Sequence, residues 1–152
     1  MAGQDEKAHL ERIVAIACDH GGFALKEALK TALPDVNWLD LGTDSTASVD
    51  YPDFARKLAD AIAAGEAARG ILICGSGIGI SIAANRHAHI RCALVHDVTG
   101  ARLCRQHNDA NVLAMGGRLI GEAVAQECVE MFLSTTFDGG RHQRRVDMLG
   151  SC

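Results

Sequence analysis

Short apolar runs alternate with longer amphipathic segments along most of the chain. Five of these runs are continuous and rich in β-branched residues, which is typical of strands buried on both faces of a parallel sheet. We predict strands at residues 12–18, 36–41, 70–74, 91–95 and 112–115. The segments between them have helical length and spacing. The alternation therefore predicts an α/β fold of three layers, in which helices cover both faces of a five-stranded parallel sheet.

Local signals mark where several helices begin. Pro52 suits a first helical position, and Asp97 suits an N-cap because its carboxylate can accept an unpaired backbone N–H. Glycines precede the helical segments that begin at Phe23 and Glu122. The last segment, residues 141–149, is short and basic and follows two glycines. It could dock on the domain or reach a neighbouring subunit.

The length of 152 residues suits one domain spanning residues 1–152, because there is no internal repeat, low-complexity tract or linker. Residues 1–11 form a polar N-terminal extension that lacks the apolar stretch of a secretory signal. No apolar run approaches the length that spans a membrane. We expect a cytoplasmic protein with no membrane partner.

Charge and cysteine usage narrow the range of partners. The formal net charge is -4, so the field of the whole protein does not attract nucleic acid, and any phosphate must be bound by a local cluster. Reduced thiols are favoured over disulfides, because five of the six cysteines lie in apolar segments that resemble strands or helices. These five are Cys18, Cys74, Cys92, Cys104 and Cys128.

The third predicted strand ends at Cys74 and opens into a turn with glycines at positions 75, 77 and 79. Alternate glycines let backbone N–H groups converge on an anion, and the following helix adds the positive end of its dipole. The same field favours a thiolate at Cys74. The alternative is that Cys74 is a small buried hydrophobic residue, but its position before an anion-suited loop favours a functional thiol.

Three other uses of glycine loops do not fit this turn. Gly79-Ile80-Ser81 lacks the lysine of a nucleoside triphosphate-binding loop. The turn after the first strand, residues 18–22, has the wrong spacing for a dinucleotide site. Ile80 occupies the position at which a cysteine phosphatase has an arginine. Chemistry on nucleoside triphosphates, dinucleotides or a phosphocysteine is therefore disfavoured.

Polar side chains follow other strands. Asp19 and His20 come directly after the first strand, where they can contact a polyol or shuttle a proton, or equally cap the next helix. His107 is a candidate acid or base at the end of the fourth helix, which we expect close to the same edge of the sheet. A histidine there is more often a favourable contact with the helix dipole.

Basic residues form a third group, in which arginines can bind phosphate through two parallel hydrogen bonds. A charged run is otherwise usually a solvated face. The remaining histidines, at positions 9, 87, 89 and 96, have no recognised metal spacing, and we expect no metal. The basic group comprises Arg118, Arg141, His142, Arg144 and Arg145.

Five ordered motifs resemble the ribose-5-phosphate isomerase B family, which also includes galactose-6-phosphate and allose-6-phosphate isomerases. They lie at residues 18–22, 50–53, 70–85, 105–109 and 139–145, and the similarity extends over almost the whole chain. The resemblance implies a Rossmann-like fold, no cofactor, and interconversion of ribose 5-phosphate and ribulose 5-phosphate through an enediolate. Isomerisation of a four-carbon or six-carbon sugar phosphate is the alternative within the family.

The resemblance also implies residue roles. Cys74 would be the base, Ser76 would join it as a catalytic residue, and His107 would assist ring opening. The backbone at Gly75, Ser76, Gly77, Ile78 and Gly79 would hold the enediolate. Asp19, His20, Tyr51 and Asn108 would contact the sugar. His20 and Arg118 would bind phosphate together with Arg141 and Arg145 of the partner, in a homodimer with shared sites or in a tetramer.

Two functions of other classes remain open from the residues. A noncatalytic module could use the glycine loop and arginines to bind a sugar phosphate, although a thiol and His107 argue against it. A thiol hydrolase built on Cys74 and His107 would need a third group to orient the imidazole, and nothing in the sequence indicates one.

Overall fold

In the computed structural model, which describes residues 3–4 and 12–152, five parallel strands form one sheet. The strands are β1 (Ile13–Cys18), β2 (Asn37–Asp40), β3 (Arg69–Cys74), β4 (Cys92–Leu94) and β5 (Val112–Gly116). Their order across the sheet is β2-β1-β3-β5-β4. Each predicted strand boundary lies within one residue of the observed one, so the predicted five-stranded parallel sheet is confirmed.

Six helices connect or follow the strands. They are α1 (Phe23–Ala32), α2 (Tyr51–Ala63), α3 (Ile78–Asn85), α4 (Val98–Asn108), α5 (Glu122–Ser134) and α6 (Arg141–Leu149). Asp97 caps α4 as predicted, since its Oδ1 accepts the Gly100 N–H at 2.7 Å. Pro52 lies in the first turn of α2. A backbone N–H at that position has no acceptor within the helix, so proline costs no hydrogen bond there.

The three-layer arrangement follows from alternation along the buried strands. Ile71 and Ile73 of β3 pack in a core with α1, α4 and α5, whereas Leu72 and Cys74 point into a second core with α2 and α3. All four side chains are buried. A strand with apolar residues on both faces needs cover on both sides, and burial of each large side chain stabilises the fold by about 1.5–3 kcal/mol.

The connections place a crevice at the carboxyl edge of the sheet. After β1 the chain continues through α1 to β2, and after β3 it continues through α3 in the opposite direction across the sheet. Adjacent strands whose connections diverge leave an opening between them, which is where open α/β sheets bind ligands. The loops that follow β1, β3 and β5 border this opening.

The N-terminal extension lies outside the described residues, apart from residues 3–4. Over the part of the chain that the structure describes, no helix is both long and apolar enough to cross a membrane.

Candidate active site

Cys74 is the last residue of β3, and its side chain is buried at the base of the crevice. Its Sγ accepts the backbone N–H of Gly77 at 3.1 Å. Gly77 can direct its N–H toward the Cys74 sulfur because it adopts a left-handed conformation, with φ of 76°, immediately before α3 begins. An N–H aimed at the sulfur beside a helix N-terminus stabilises negative charge on Cys74.

The turn also offers free amide groups. Among the described residues, no protein acceptor receives the N–H groups of Gly75, Ser76 or Gly79. The Ile78 N–H donates to Ser76 Oγ at 3.2 Å, and that of Gly77 donates to Cys74. Three of the five amides predicted to hold an anionic intermediate are therefore available, while two stabilise the turn itself.

Three loops meet around Gly75 because glycines allow close approach. A Cβ on Gly75 would lie 3.0 Å from the guanidinium of Arg118, and one on Gly21 would lie 2.9 Å from the Gly75 amide nitrogen. The Arg118 N–H donates to the Gly75 carbonyl at 3.0 Å. The structure thus brings the turns after β1, β3 and β5 together and places Arg118 over the glycine turn.

Asp19 and His20 lie at the same edge. Asp19 is buried, and its Oδ1 accepts N–H groups from Gly21 and Gly22, at 2.9 and 3.2 Å, so one oxygen stabilises the turn. Nδ1 of His20 accepts the Val49 N–H at 3.2 Å. A neutral ring in this arrangement carries its proton on Nε2, which leaves that N–H to donate to a ligand.

Tyr51, the first residue of α2, lies against the glycine turn. A Cβ on Gly79 would lie 2.6 Å from Cζ of the ring, so only glycine allows the phenol this close. The side chain remains partly exposed. The structure therefore places Asp19, His20, Tyr51 and Arg118 around the turn that begins at Cys74.

Four other thiols of the chain are unsuited to act as bases. Burial raises the pKa of Cys18 and of Cys92 to about 12 and the pKa of Cys104 and of Cys128 to about 11. These thiols stay protonated at neutral pH and act as small apolar side chains.

A second cluster contains His107, Asn108 and Arg145, which with His142 line a cavity of about 200 Å³ between α4 and α6. The rings of His107 and His142 stack with centroids 4.5 Å apart. Partial burial, followed by the positive charges of His107 and Arg141, lowers the pKa of His142. Arg141 lies exposed in the first turn of α6.

The prediction that His107 lies at the same edge of the sheet as Cys74 is wrong. A helix between parallel strands runs antiparallel to them, so α4 begins at the carboxyl edge and ends at the amino edge. Asn111, just beyond α4, confirms this, because its carbonyl accepts the N–H of Gly70 near the start of β3. Within one chain, the second cluster and Cys74 thus occupy opposite edges.

Comparison with known proteins places the chain in a family. The model of the family described as ribose/galactose isomerase matches residues 14–149. The chain belongs to this family. Ribose-5-phosphate isomerase B of Escherichia coli K12 is 46% identical over 138 residues, which cover 90% of this chain and 93% of that protein.

Solved structures of ribose/galactose isomerase relatives have the same fold. A crystal structure of a ribose 5-phosphate isomerase from Thermotoga maritima superposes with a TM-score of 0.90 at 50% identity, covering 92% of this chain and 98% of that one. The type B ribose 5-phosphate isomerase of Trypanosoma brucei gives a TM-score of 0.86 at 42% identity, covering 93% and 98%. The resemblance inferred from the five motifs is confirmed.

Sequence reasoning missed several residues that shape the site. Val49 orients His20, and Leu94 lies beside the glycine turn, where a Cβ on Gly77 would lie 2.6 Å from its Cδ1. Both contacts join segments that are distant along the chain and carry no local motif.

Proposed function

We propose that this chain is an aldose–ketose isomerase that interconverts ribose 5-phosphate and ribulose 5-phosphate, with Cys74 as the base. The observation that carries the proposal is the hydrogen bond from Gly77 to the Cys74 sulfur, at the start of a turn with three free amides. Membership of the ribose/galactose isomerase family and likeness to proteins named ribose-5-phosphate isomerase B support the choice of substrate.

The thiolate of Cys74 removes the proton on C2 of the open-chain aldose. The electron pair forms the C1–C2 double bond of an enediolate, and its negative charge moves to the oxygen on C1. The hydroxyl proton on the C2 oxygen passes to the C1 oxygen, so that the negative charge lies on the C2 oxygen. The thiol then returns its proton to C1 as the C2 carbonyl forms, which gives the ketose. The free N–H groups of Gly75, Ser76 and Gly79 stabilise the oxyanion, and one such donor in place is worth about 3–4 kcal/mol. The hydroxyl of Ser76 keeps the turn rigid by accepting the Ile78 N–H.

Other residues at the carboxyl edge of the sheet, where Cys74 lies, contact the substrate. The Nε2–H of His20 and the guanidinium of Arg118 donate to the phosphate, which holds the reacting end of the sugar near Cys74. Asp19 and Tyr51 hydrogen-bond sugar hydroxyls. No cofactor takes part in the proposed mechanism, because proton transfer and charge stabilisation need only these groups.

The complete site lies between two chains of a homodimer. His107 and Asn108 lie at the amino edge with Arg145, so they contribute to the site of the partner and not to the Cys74 of their own chain. There His107 opens the sugar ring, Asn108 contacts the sugar, and Arg141 and Arg145 bind the phosphate. A two-fold axis makes both sites equal, and two dimers could assemble into a tetramer.

An exposed apolar surface beside the glycine turn supports this assembly. Ile78 and Ile82, one turn apart on α3, are 51% and 55% exposed, and Leu94 is 37% exposed. Large apolar side chains gathered next to a polar crevice are typical of a subunit interface. Residues 141–149 follow two glycines, which lets α6 project toward the partner. The cytoplasm, where reduced thiols persist, is the proposed location.

The test is solvent exchange at carbon 2 of ribose 5-phosphate. Wild-type protein in deuterated water should form ribulose 5-phosphate and exchange that hydrogen, as followed by NMR. Cys74→Ala should abolish both while substrate binding survives, because the phosphate contacts remain. Cys152→Ser, which changes an exposed thiol, is the matched control and should keep full turnover. Near-normal turnover by Cys74→Ala would contradict the assigned base, and failure of wild type to form ribulose 5-phosphate would reject the isomerase.

A further inference from the structure

Three potential metal ligands from separate segments meet at the end of α4. His107 lies in the last turn of α4, His142 in the first turn of α6, and Asp138 in the connection that precedes α6. Their ligand atoms all lie within 4.8 Å of one another. The Asp138 N–H donates to the carbonyl of Gln106 at 3.1 Å, which fixes the connection against α4. The fold itself therefore creates the cluster.

We propose that His107, Asp138 and His142 bind a divalent transition-metal ion of the zinc class, and that the bound ion inhibits the isomerase by withdrawing His107 from the sugar. Metal binding rests on these three residues alone. The inhibition rests on the proposed function, in which His107 opens the sugar ring.

The donor set favours zinc over harder cations. Two imidazoles and one carboxylate are a common zinc set, with the fourth position left to water, whereas Ca²⁺ and Mg²⁺ prefer oxygen ligands throughout. Ligands at about 2.0–2.1 Å in a tetrahedron lie roughly 3.3 Å apart. Because the present separations are no more than 4.8 Å, the three ligand atoms must approach one another by at most about 1.5 Å, which rotation of side chains can supply.

Binding must also break the stack of the two rings. The planes of His107 and His142 differ by only 14°, and the lone pairs of imidazole lie in the ring plane. Lone pairs of two parallel rings cannot point at one ion, so at least one ring has to rotate. A metal-bound His107 has no ring nitrogen with a free lone pair, because one nitrogen binds the ion and the other carries the proton, so it can no longer accept a proton from the sugar.

Nearby charge sets the expected affinity. Arg145 lines the same cavity, and Arg141 neighbours His142 along α6, so both guanidinium groups oppose a cation. The carboxylate of Asp138 offsets one positive charge. We expect binding in the micromolar range, weaker than in structural zinc sites, and suited to reversible inhibition.

The experiment measures zinc affinity in untagged dimer that has been stripped of metal, by competition with a chromophoric chelator. All proteins carry Cys152→Ser, which removes an exposed thiol that could bind zinc. Asp138→Asn and His142→Gln should bind zinc at least about 10-fold more weakly. His87→Gln is the matched control: His87 and His89 form another histidine pair, with centroids 6.0 Å apart, and its loss should change nothing.

Turnover of ribose 5-phosphate is then measured against zinc concentration. Asp138 contacts no proposed substrate group, so Asp138→Asn should keep metal-free turnover and need at least about 10-fold more zinc for half-inhibition. Circular dichroism should show the same fold in every variant. Equal zinc affinity in all variants would overturn the site, and equal inhibition of wild type and Asp138→Asn would place the inhibitory ion elsewhere. A third outcome is that both variants lose zinc binding while the wild type has no isomerase activity. That result would reject the proposed function and leave the metal site standing.

Discussion

At the scale of single residues, hydrogen bonding distinguishes Cys74 from the other buried cysteines. Its sulfur accepts a backbone N–H at a helix start, whereas burial is the largest cause that raises the pKa of Cys18 to about 12 and that of Cys104 and Cys128 to about 11. The position of Cys74 at a strand end before alternate glycines was enough to predict a functional thiol from sequence. The bond from Gly77 was not predictable, because it depends on the backbone conformation of the turn.

This difference predicts which thiols react. Iodoacetamide at pH 8 should modify Cys74 and the exposed Cys152, while Cys18, Cys104 and Cys128 stay unmodified. A thiol of pKa about 11 is ionised in roughly one molecule in a thousand at that pH. Ribose 5-phosphate should slow modification of Cys74 but not of Cys152. Peptide mass spectrometry measures both, and labelling of Cys18 as fast as Cys74 would contradict the assignment.

Close contact between Gly79 and Tyr51 gives a second prediction. Gly79→Ala places a methyl group where the Tyr51 ring lies, so the ring must move by about 1 Å. We expect kcat/KM to fall roughly 10-fold to 100-fold with little loss of stability, because misplacement on this scale disturbs substrate orientation.

Gly121→Ala is the control for this change. A Cβ on Gly121 meets no atom within 4 Å, so the variant should keep wild-type kinetics. Unchanged kinetics in Gly79→Ala would mean that the position of Tyr51 does not matter for substrate binding.

At the scale of elements, α1 is fixed to β2 by a buried charge. Lys26 is only 2% exposed, and its Nζ donates to both carboxylate oxygens of Asp40 at 3.0 and 2.8 Å. Burial alone would raise the pKa of Asp40, but hydrogen bonds from Lys26 and Lys30 outweigh it and hold the pKa below its usual value. The ionised pair therefore contributes stability above about pH 4, which is lost as the pH falls through the folded pKa of Asp40.

Asp40→Asn should accordingly destabilise the protein at pH 7 by about 3 kcal/mol, since it leaves Lys26 buried without its main partner. The difference from wild type should shrink as the pH falls from 5 toward 3, because wild-type Asp40 then becomes protonated. Urea unfolding at fixed protein concentration measures both.

Asp53→Asn is the matched control. Asp53 pairs with Arg56 at 3.1 Å on an exposed helix face, where such pairs contribute about 0.5 kcal/mol or less. The buried pair would have no role if Asp40→Asn lowered the free energy of unfolding as little as this control does. A loss that does not depend on pH would contradict it too.

The elements were predictable because their signals are local. Asp97 is a cap three residues from the N–H that it accepts, and β3 is a continuous apolar run between a glycine and a glycine turn. Burial of Lys26 was not predictable, because its partner Asp40 lies 14 residues away on another element. The pattern of α1 alone gives no reason to place a lysine inside.

At the scale of the whole molecule, each chain carries two polar clusters at opposite edges of the sheet. The sequence motifs and the resemblance they carry predicted both sets of residues, but His107 was predicted at the wrong edge. Its sequence proximity to β5 was informative only once the direction of α4 was considered: the residues before a parallel strand lie at its amino end, not at its carboxyl end.

Shared sites predict rescue between inactive variants. Cys74→Ala and Arg145→Ala homodimers should both be inactive, and mixing them after reversible dissociation should restore roughly a quarter of wild-type activity. About half of randomly formed dimers are mixed, and each contains one intact site of two. The rates of the mixture and of each parent measure the effect.

Subunit exchange in this mixture is confirmed by native mass spectrometry. A second mixture, Cys74→Ala with Asp19→Ala, is the control, because both changes fall on the same half of the site and should give no rescue. Exchange without rescue in the first mixture would reject the shared site while leaving the isomerase assignment intact.

Separation of Cys74 and His107 at opposite edges has a further consequence for how activity depends on the amount of protein. In the proposed dimer, a free chain has a base without a ring-opening group, so dilution below the dimer dissociation constant removes activity without unfolding anything. Specific activity should then rise with enzyme concentration according to mass action and level off once every chain is paired. Catalysis by this protein would be a property of pairs, which a newly made chain acquires only on meeting a second one.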